Sequence, residues 1–393
     1  MPRVLLVANT SWYIYNFRFP LLLDLRKKGY NVSVVAPHDK YTNAIEKEGF
    51  KVINWEVSRS SVNPFIEAKA LLNLIKIYRR NKPDLVHHFT IKACLYGTIS
   101  AKLSRVYRVI NAVTGLGHIF LGKRKRHQIL RRSLEPIYRG VFKARRSTVV
   151  FQNADDQEKL IQLGITNTEN SRLIHGSGVD IEKFKPLKDS AGLFQDPIQI
   201  LFPSRLIKQK GLLEVLEACK TLWSENCNFE LLLAGDLDKS NHSSLSREEI
   251  AVLQTQSKIR CLGHVRDMRT LYASCDLVVL PSWREGLSRS LIEAASMERP
   301  IITTDTPGCR DVVDHGRSGL IVPLRDARAL TLAIRLLIEN PDLARKFGKA
   351  ARQKVMAEFQ VSIINERTLE QYEYLLNKPI KRKNSEWFLP SPR

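Results

Sequence analysis

No stretch of this chain approaches the roughly 20 consecutive apolar residues that cross a bilayer, and the apolar run in the opening MPRVLLVANT is too short for a secretory signal. Any membrane contact is therefore expected to be peripheral. Cysteine is sparse: Cys94, Cys219, Cys227, Cys261, Cys275 and Cys309 form no CxxC pair and no Cys/His cluster at zinc-ligand spacing, and they read as reduced cytoplasmic thiols. Acidic residues are also short. Sixty-two Lys and Arg face 40 Asp and Glu, and the resulting net charge of +22 asks for a polyanionic partner: nucleic acid, an anionic membrane surface or a phosphate-bearing substrate. No helix-turn-helix, RRM or zinc pattern is present and no aromatics interleave with the basic run, so no nucleic acid is expected; a basic nucleic-acid-binding protein remains the alternative. A complete dinucleotide fingerprint is missing too. Thr114-Gly115-Leu116-Gly117 lacks the third glycine and follows the fifth strand-like run rather than the first, which argues against a NAD-dependent oxidoreductase.

What is present is alternation. With 393 residues, 44% of them hydrophobic, the chain fits two domains. Short β-branched runs separated by helix-length segments fill the first half: RVLLVANT, NVSVVAP, FKVINWE, DLVHHFT, YRVINAVT and STVVFQN. The pattern pauses at KFKPLKDSAGLFQDP and restarts with IQILFPS, FELLLAGD, IRCLGHV, LVVLPS, PIITTD and GLIVP. Such runs predict parallel strands with crossover helices, hence two doubly wound α/β domains facing across a cleft at the carboxyl ends of their strands. The expected spans are 1–182, a linker 183–197, 198–355, a helix 356–378 crossing back to the first domain, and a disordered basic tail 379–393.

Within PSWREGLSRSLIEA, Glu285 and Glu293 are separated by seven residues. LVVLPS reads as a buried strand, Glu285-Gly286 as a turn, and Ser288 onward as a helix with Leu291, Ile292 and Ala295 inward. Free amides and the positive end of that helix, from Gly286 to Ser290, suit anionic oxygens such as a diphosphate. Glu285 would accept from hydroxyls on one side of the anion and Glu293 on the other, about 12 Å apart if fully helical. A nucleoside diphosphate sugar has this layout. The same letters also read as ordinary helix chemistry, with Ser290-Leu291-Ile292-Glu293 a capping box and Glu285 a solvated loop residue. A diphosphate leaving group needs cations where its charge appears, and FPSRLIKQKG places Arg205 and Lys210 just after the first strand of the same domain. Asp236-Leu237-Asp238 is read as turn chemistry rather than a metal motif, so neither a divalent metal nor any other cofactor is expected.

These segments resemble, in order, the nucleotide-binding half of the family 4 retaining glycosyltransferases of GT-B fold: SGVDIEKFKP, SRLIKQKG, LLLAGD, LGHVRDMRTLYASCDLVVLPS, EGLSRSLIEA and PGCRDVVDHGRSGLIVP. The resemblance implies that Arg205 and Lys210 hold the donor diphosphate, Glu285 the sugar and Glu293 the ribose, with backbone contacts from Gly286, Leu287 and Ser288. YNFRFP, PHDKYTNAIEKEGFKV and SRSSVNPF are similar to bacterial members that add an N-acetylhexosamine to an undecaprenyl-diphosphate-linked sugar. That implies a UDP-sugar donor and a polyprenyl-diphosphate-linked acceptor whose phosphates meet Arg18 and Arg59, each expected in a loop after a strand; a GT-B-type transferase acting on a non-lipid acceptor is a further alternative. Two departures from the family stand out. Asn9-Thr10-Ser11-Trp12-Tyr13 replaces a Gly-rich loop, and the family's strand-end His corresponds to Thr114, with His118 four residues on; both are placed at the acceptor.

The run LGKRKRHQILRRSLEPIYRGVFKARR, residues 121–146, has ten Lys and Arg against the single acid Glu135. Leu130, Leu134, Ile137, Tyr138, Val141 and Phe142 recur at helical intervals, with a kink expected at Pro136. A basic amphipathic helix suits an anionic membrane surface, and with the lipid-linked acceptor that the resemblance implies, the protein is expected in the cytoplasm, on the inner face of the bacterial cytoplasmic membrane.

Overall fold

A computed structural model describes residues 1–58, 61, 63–116, 125–143, 147–186, 194, 196–238, 241 and 243–378. The first sheet contains β1 (Arg3–Ala8), β2 (Asn31–Ala36), β3 (Lys51–Asn54), β4 (Leu85–Phe89), β5 (Val109–Val113), β6 (Ser147–Phe151) and β7 (Ser171–Leu173) in the order β3-β2-β1-β4-β5-β6-β7. The second contains β8 (Ile198–Phe202), β9 (Phe229–Ala234), β10 (Ile259–Gly263), β11 (Leu277–Leu280), β12 (Ile301–Thr304) and β13 (Leu320–Val322), ordered β10-β9-β8-β11-β12-β13. The registered pairs are parallel, for example Val4↔Val32 and Val4↔Leu85 around β1, and Leu277↔Ile200 between β11 and β8. Every expected strand is found. Parallel strands covered on both faces must be apolar throughout, and β4, β5, β6, β11 and β12 are buried at every residue. Only the three-residue β7 was not anticipated, because Ser171-Arg172-Leu173 is too short and polar to stand out.

By internal packing the described residues divide into two compact units, those within 1–111, 137–149 and 367–378, and those within 112–136 and 150–366. In each sheet the strand order reverses once, between β1 and β4 and between β8 and β11. Ligands of doubly wound sheets bind beyond the strand ends at such switch points. After β13 the second unit is helical, through Ala327–Glu339, Pro341–Lys354 and a π-helical turn Val355–Phe359, and the helix Val361–Asn377 follows. In the first unit Tyr372 Oη lies 2.8 Å from His87 Nδ1, and the Leu375 carbonyl accepts from Arg108 Nε at 2.8 Å.

The basic segment forms a helix, Lys125–Phe142, that contains Pro136 without a break. Tyr138, Val141 and Phe142 are buried, so its C-terminal turns pack while Arg132 and Arg139 stay exposed. Residues 121–124 and 144–146, and the tail 379–393, lie outside the described residues.

Two adjacent histidines of β4 point to opposite faces, as the strand's two-residue period requires. His88, fully buried, donates from Nδ1 to Asn111 Oδ1 (2.7 Å) and accepts at Nε2 from Tyr78 Oη (2.8 Å), an arrangement that needs the neutral ring. Burial pushes its pKa down to about 4 against the opposing pull of Asn111. Protons therefore bind the unfolded chain in preference between about pH 6.5 and 4, and stability falls as pH drops through that window, by about 3 kcal/mol in all. His88→Gln should show a shallower fall of the thermal midpoint between pH 7 and pH 5 than the parental protein; equal slopes would remove His88 from the acid sensitivity.

Candidate functional site

The site grows from β8 and β11, neighbours at the switch point of the second sheet. The loop after β8 closes with a 3-10 turn, Lys208–Lys210, and Gly211 at φ +78°. A Cβ on Gly211 would lie 2.7 Å from both the carbonyl carbon and the Cγ of Pro281 in the loop after β11. The two loops therefore touch through main chain, and the Trp283 amide donates to the Gln209 carbonyl at 2.9 Å. That contact brings Lys210 Nζ against Glu285 Oε1 in an ion pair whose side chains are each only 14% exposed. Two charges this far out of water each offset the other's desolvation, and removal of either leaves the remaining one stranded at a cost of about 3–5 kcal/mol.

Arg205 is turned to Asp238 instead. The backbone of Asp238 does what a turn residue does, its amide donating to Ser244 Oγ (3.1 Å) and its carbonyl accepting from the Asn241 amide (2.8 Å), while its carboxylate holds the half-exposed guanidinium. Among the described residues no three His, Cys, Asp or Glu side chains gather closely enough to hold a metal ion.

Gly286, Leu287 and Ser288 lie in close main-chain packing. A Cβ on Gly286 would sit 2.9 Å from the Thr114 carbonyl carbon and 3.2 Å from Gln152 Oε1, and the Gly286 carbonyl accepts from Asn153 Nδ2 at 2.6 Å. Thr114, expected at the acceptor, thus lies directly behind the Glu285–Gly286 turn. Leu287 rests its side chain where a Cβ on Gly176 would come within 2.8 Å of Leu287 Cδ2. The Ser288 amide is committed to the Gly308 carbonyl at 3.0 Å and the Ser288 hydroxyl pairs with Ser290 Oγ at 3.3 Å, so both groups of this buried residue are bonded within the chain. Ser288 caps the helix Arg289–Ser296 without a side-chain bond to the first-turn amides.

Glu293 lies within that helix, and the capping-box reading fails there. The helix begins at Arg289, so Ser290 is its second residue rather than its cap, and the Glu293 carboxylate accepts from Arg289 Nε one turn back, at 2.8 Å. Burial pushes the Glu293 carboxyl above the ordinary range, with Arg289 opposing. Buried Tyr272 braces the same turn, donating from Oη to the Ser290 carbonyl at 3.0 Å.

In the first unit Arg18 is not in a loop, as had been expected, but ends a π-helical segment, Ile14–Arg18, that leads straight into the helix Phe19–Lys27. It is 4% exposed, with its guanidinium 4.8 Å from the Phe89 ring centroid, and its Nε meets no acceptor among the described residues. Arg59 and His118 lie outside the described residues.

Three partners went unread in the sequence. Arg289 was open to the i,i+4 rule, whereas Asn153 and Gly308 carry no local signal, because each reaches the turn across twenty or more residues of chain.

Two parallel Rossmann-like sheets are the architecture of the GT-B glycosyltransferases, and family models and solved structures match this chain on that fold. The description "Glycosyl transferases group 1" matches residues 183–354 and "Glycosyl transferase 4-like" matches residues 3–153. The chain belongs to the glycosyltransferases of this group, with the GT-B fold. It is 27% identical to the N,N'-diacetylbacillosaminyl-diphospho-undecaprenol alpha-1,3-N-acetylgalactosaminyltransferase of Campylobacter jejuni, over 95% of this chain and 99% of that one. It is likewise 27% identical to the capsular polysaccharide biosynthesis glycosyltransferase CapM of Staphylococcus aureus, over 90% of this chain and 92% of its relative. Among solved structures, a Rickettsia africae glycosyltransferase superposes with a TM-score of 0.74 at 21% identity, covering 96% of this chain and 99% of its own. Anabaena HepE, solved with UDP and glucose, superposes with a TM-score of 0.75 at 19% identity, covering 95% and 100%.

Proposed function

We propose that this chain is a retaining glycosyltransferase that moves a hexose or N-acetylhexosamine, with GalNAc or GlcNAc favoured, from a UDP-sugar to an undecaprenyl-diphosphate-linked saccharide in bacterial surface polysaccharide or glycan assembly. The observation that carries the reading is the Lys210–Glu285 pair, set between the two switch-point loops beside a helix start that its cap leaves without a side-chain bond. The names of the Campylobacter and Staphylococcus relatives support the lipid-linked acceptor and the polysaccharide pathway.

On this reading the donor diphosphate takes the place that carboxylates now hold on the cations. Arg205 and Lys210 turn from Asp238 and Glu285 to phosphate oxygens, which frees Glu285 to accept from hydroxyls of the sugar and leaves Glu293 for the ribose. Gly286, Leu287 and Ser288 line the diphosphate. As the glycosidic bond breaks, charge grows on the departing phosphate, and the two fixed cations neutralise it without a divalent metal. The same phosphate oxygen lies on the face from which the acceptor hydroxyl attacks and takes its proton, so retention needs no separate base at Thr114 or His118. Arg18 and Arg59 receive the acceptor's phosphates, and residues 121–146 meet the inner face of the cytoplasmic membrane.

The test is UDP release from a panel of UDP-sugars with a polyprenyl-diphosphate-linked acceptor, with and without EDTA. One UDP-sugar should turn over undiminished in EDTA. No release with any donor would end the substrate reading, and activity lost in EDTA and restored by manganese would end the two-cation account.

A further inference from the structure

The helix Pro64–Asn81 carries the most exposed large apolar side chain of the described residues after Met1: Phe65, 86% exposed, with Leu72 at 59% and Ile66 at 48%. Ordinary packing leaves single apolar residues in water, but here the exposure is organised. Phe65, Lys69, Leu72 and Lys76 follow one another at steps of three or four residues, Arg79 and Arg80 lie three and four residues beyond Lys76, and all six are exposed. At 3.6 residues per turn they form one stripe along about 22 Å of helix, opposite buried Ala70, Leu74 and Tyr78.

The helix has one acid, and it faces the other way. Glu67 is turned inward to Lys92 Nζ, at 2.8 Å, and to the Tyr96 hydroxyl, and Lys92 at the same time donates to the Ser58 and Ser61 carbonyls at 2.8 and 3.1 Å. Lys69 meets exposed Glu56 at 2.9 Å, and Arg79 donates to the carbonyl of half-exposed Leu103 at 3.2 Å, which adds one more apolar side chain beside the stripe. The helix start is braced as well. Pro64 opens it, and Asn63 Oδ1 accepts from the Phe65 amide at 3.0 Å, so Phe65 is held outward by a fixed turn.

We propose that this face docks on an anionic lipid bilayer, with Phe65 and Leu72 entering the headgroup boundary and Lys76, Arg79 and Arg80 meeting lipid phosphates. Charge complementarity selects the bilayer: an apolar ridge is flanked by cations, on a helix whose only carboxylate is withdrawn, in a chain of net charge +22. A protein partner for such a ridge would need to supply acids in register, whereas a bilayer supplies apolar depth and phosphate together. This surface lies on a different helix from the 121–146 run assigned to the membrane above. It does not depend on the transferase reading, since binding is measured with no sugar donor or acceptor.

The full-length chain is sedimented with vesicles of phosphatidylglycerol and phosphatidylcholine, and with phosphatidylcholine alone. Phe65→Ser with Leu72→Ser should weaken partition onto the anionic vesicles at least tenfold. Lys76→Gln with Arg80→Gln should reduce the preference for anionic over neutral vesicles by a similar factor. All four positions are exposed, so these variants keep the parental melting curve. As a direct readout, Phe65→Trp should gain emission that brominated lipid quenches beyond the parental signal. Parental partition by the apolar pair, an undiminished anionic preference in the charge pair, or no extra quenching in Phe65→Trp would each overturn the proposal.

Discussion

Glu285→Gln is expected to lower turnover at saturating donor by about 10²–10³-fold, the scale on which single groups aimed at developing charge act, while UDP affinity is kept or rises. The substitution keeps the size of the side chain and removes its charge. Lys210, 14% exposed and otherwise balanced by this carboxylate, is then left as a nearly buried cation. The unliganded variant should therefore unfold more easily, by about 3 kcal/mol, the low end of that cost because the glutamine oxygen still accepts from Lys210. UDP should restore its thermal midpoint by more than it raises that of the parental protein, because the diphosphate supplies the missing negative charge. Turnover within threefold of parental would remove Glu285 from the chemistry. An equal UDP-induced shift in both proteins would separate Lys210 from the diphosphate.

Gly286→Ala is the second large effect. The added methyl meets the main-chain carbonyl of Thr114, which, unlike a side chain, has no rotamer to escape to. The turn must move instead, straining the 2.6 Å bond from Asn153 to the Gly286 carbonyl and shifting Glu285 beside it. Overpacking of this kind costs about 1–3 kcal/mol of stability, and a displacement near 1 Å at a reacting centre costs about 10²-fold in kcat/KM. Gly140→Ala is the control. A Cβ there meets nothing within 4 Å, inside the helix Lys125–Phe142, so activity and melting should be unchanged or slightly improved. If Gly286→Ala retained parental kcat/KM, the close packing behind the turn would not matter to the reaction.

The strands were legible because parallel sheets covered on both faces demand unbroken apolar runs, and such runs as LVVL and PIITT have few other uses. The Glu285–Glu293 spacing was also readable, yet the local role of Glu293 was not. SLIE matches a capping box letter for letter, but Ser288, two residues earlier, starts the helix, and this shift hands Glu293 to Arg289. Arg18 was misplaced for a comparable reason. YNFRFP has the aromatic density and proline of a loop, whereas Pro20 sits in the first turn of the next helix and Tyr13, Phe17 and Phe89 enclose the segment. A π-helical turn has no hydrophobic period of its own to betray it. Asp238 was read as a turn residue and is one, but its hold on Arg205 depends on the adjacency of β8 and β9, which no local pattern encodes.

Gly211 against Pro281, Gly286 against Thr114 and Gly308 against Gly286 place bare backbone on bare backbone at three points around one turn. The path of that turn is consequently indifferent to most side-chain drift in its neighbourhood. If the turn holds the donor as proposed, selectivity among sugars can diverge through contacts such as Leu287 on Gly176 without disturbing the phosphate site, and donor swapping by design should begin at those two positions rather than by rebuilding the loop.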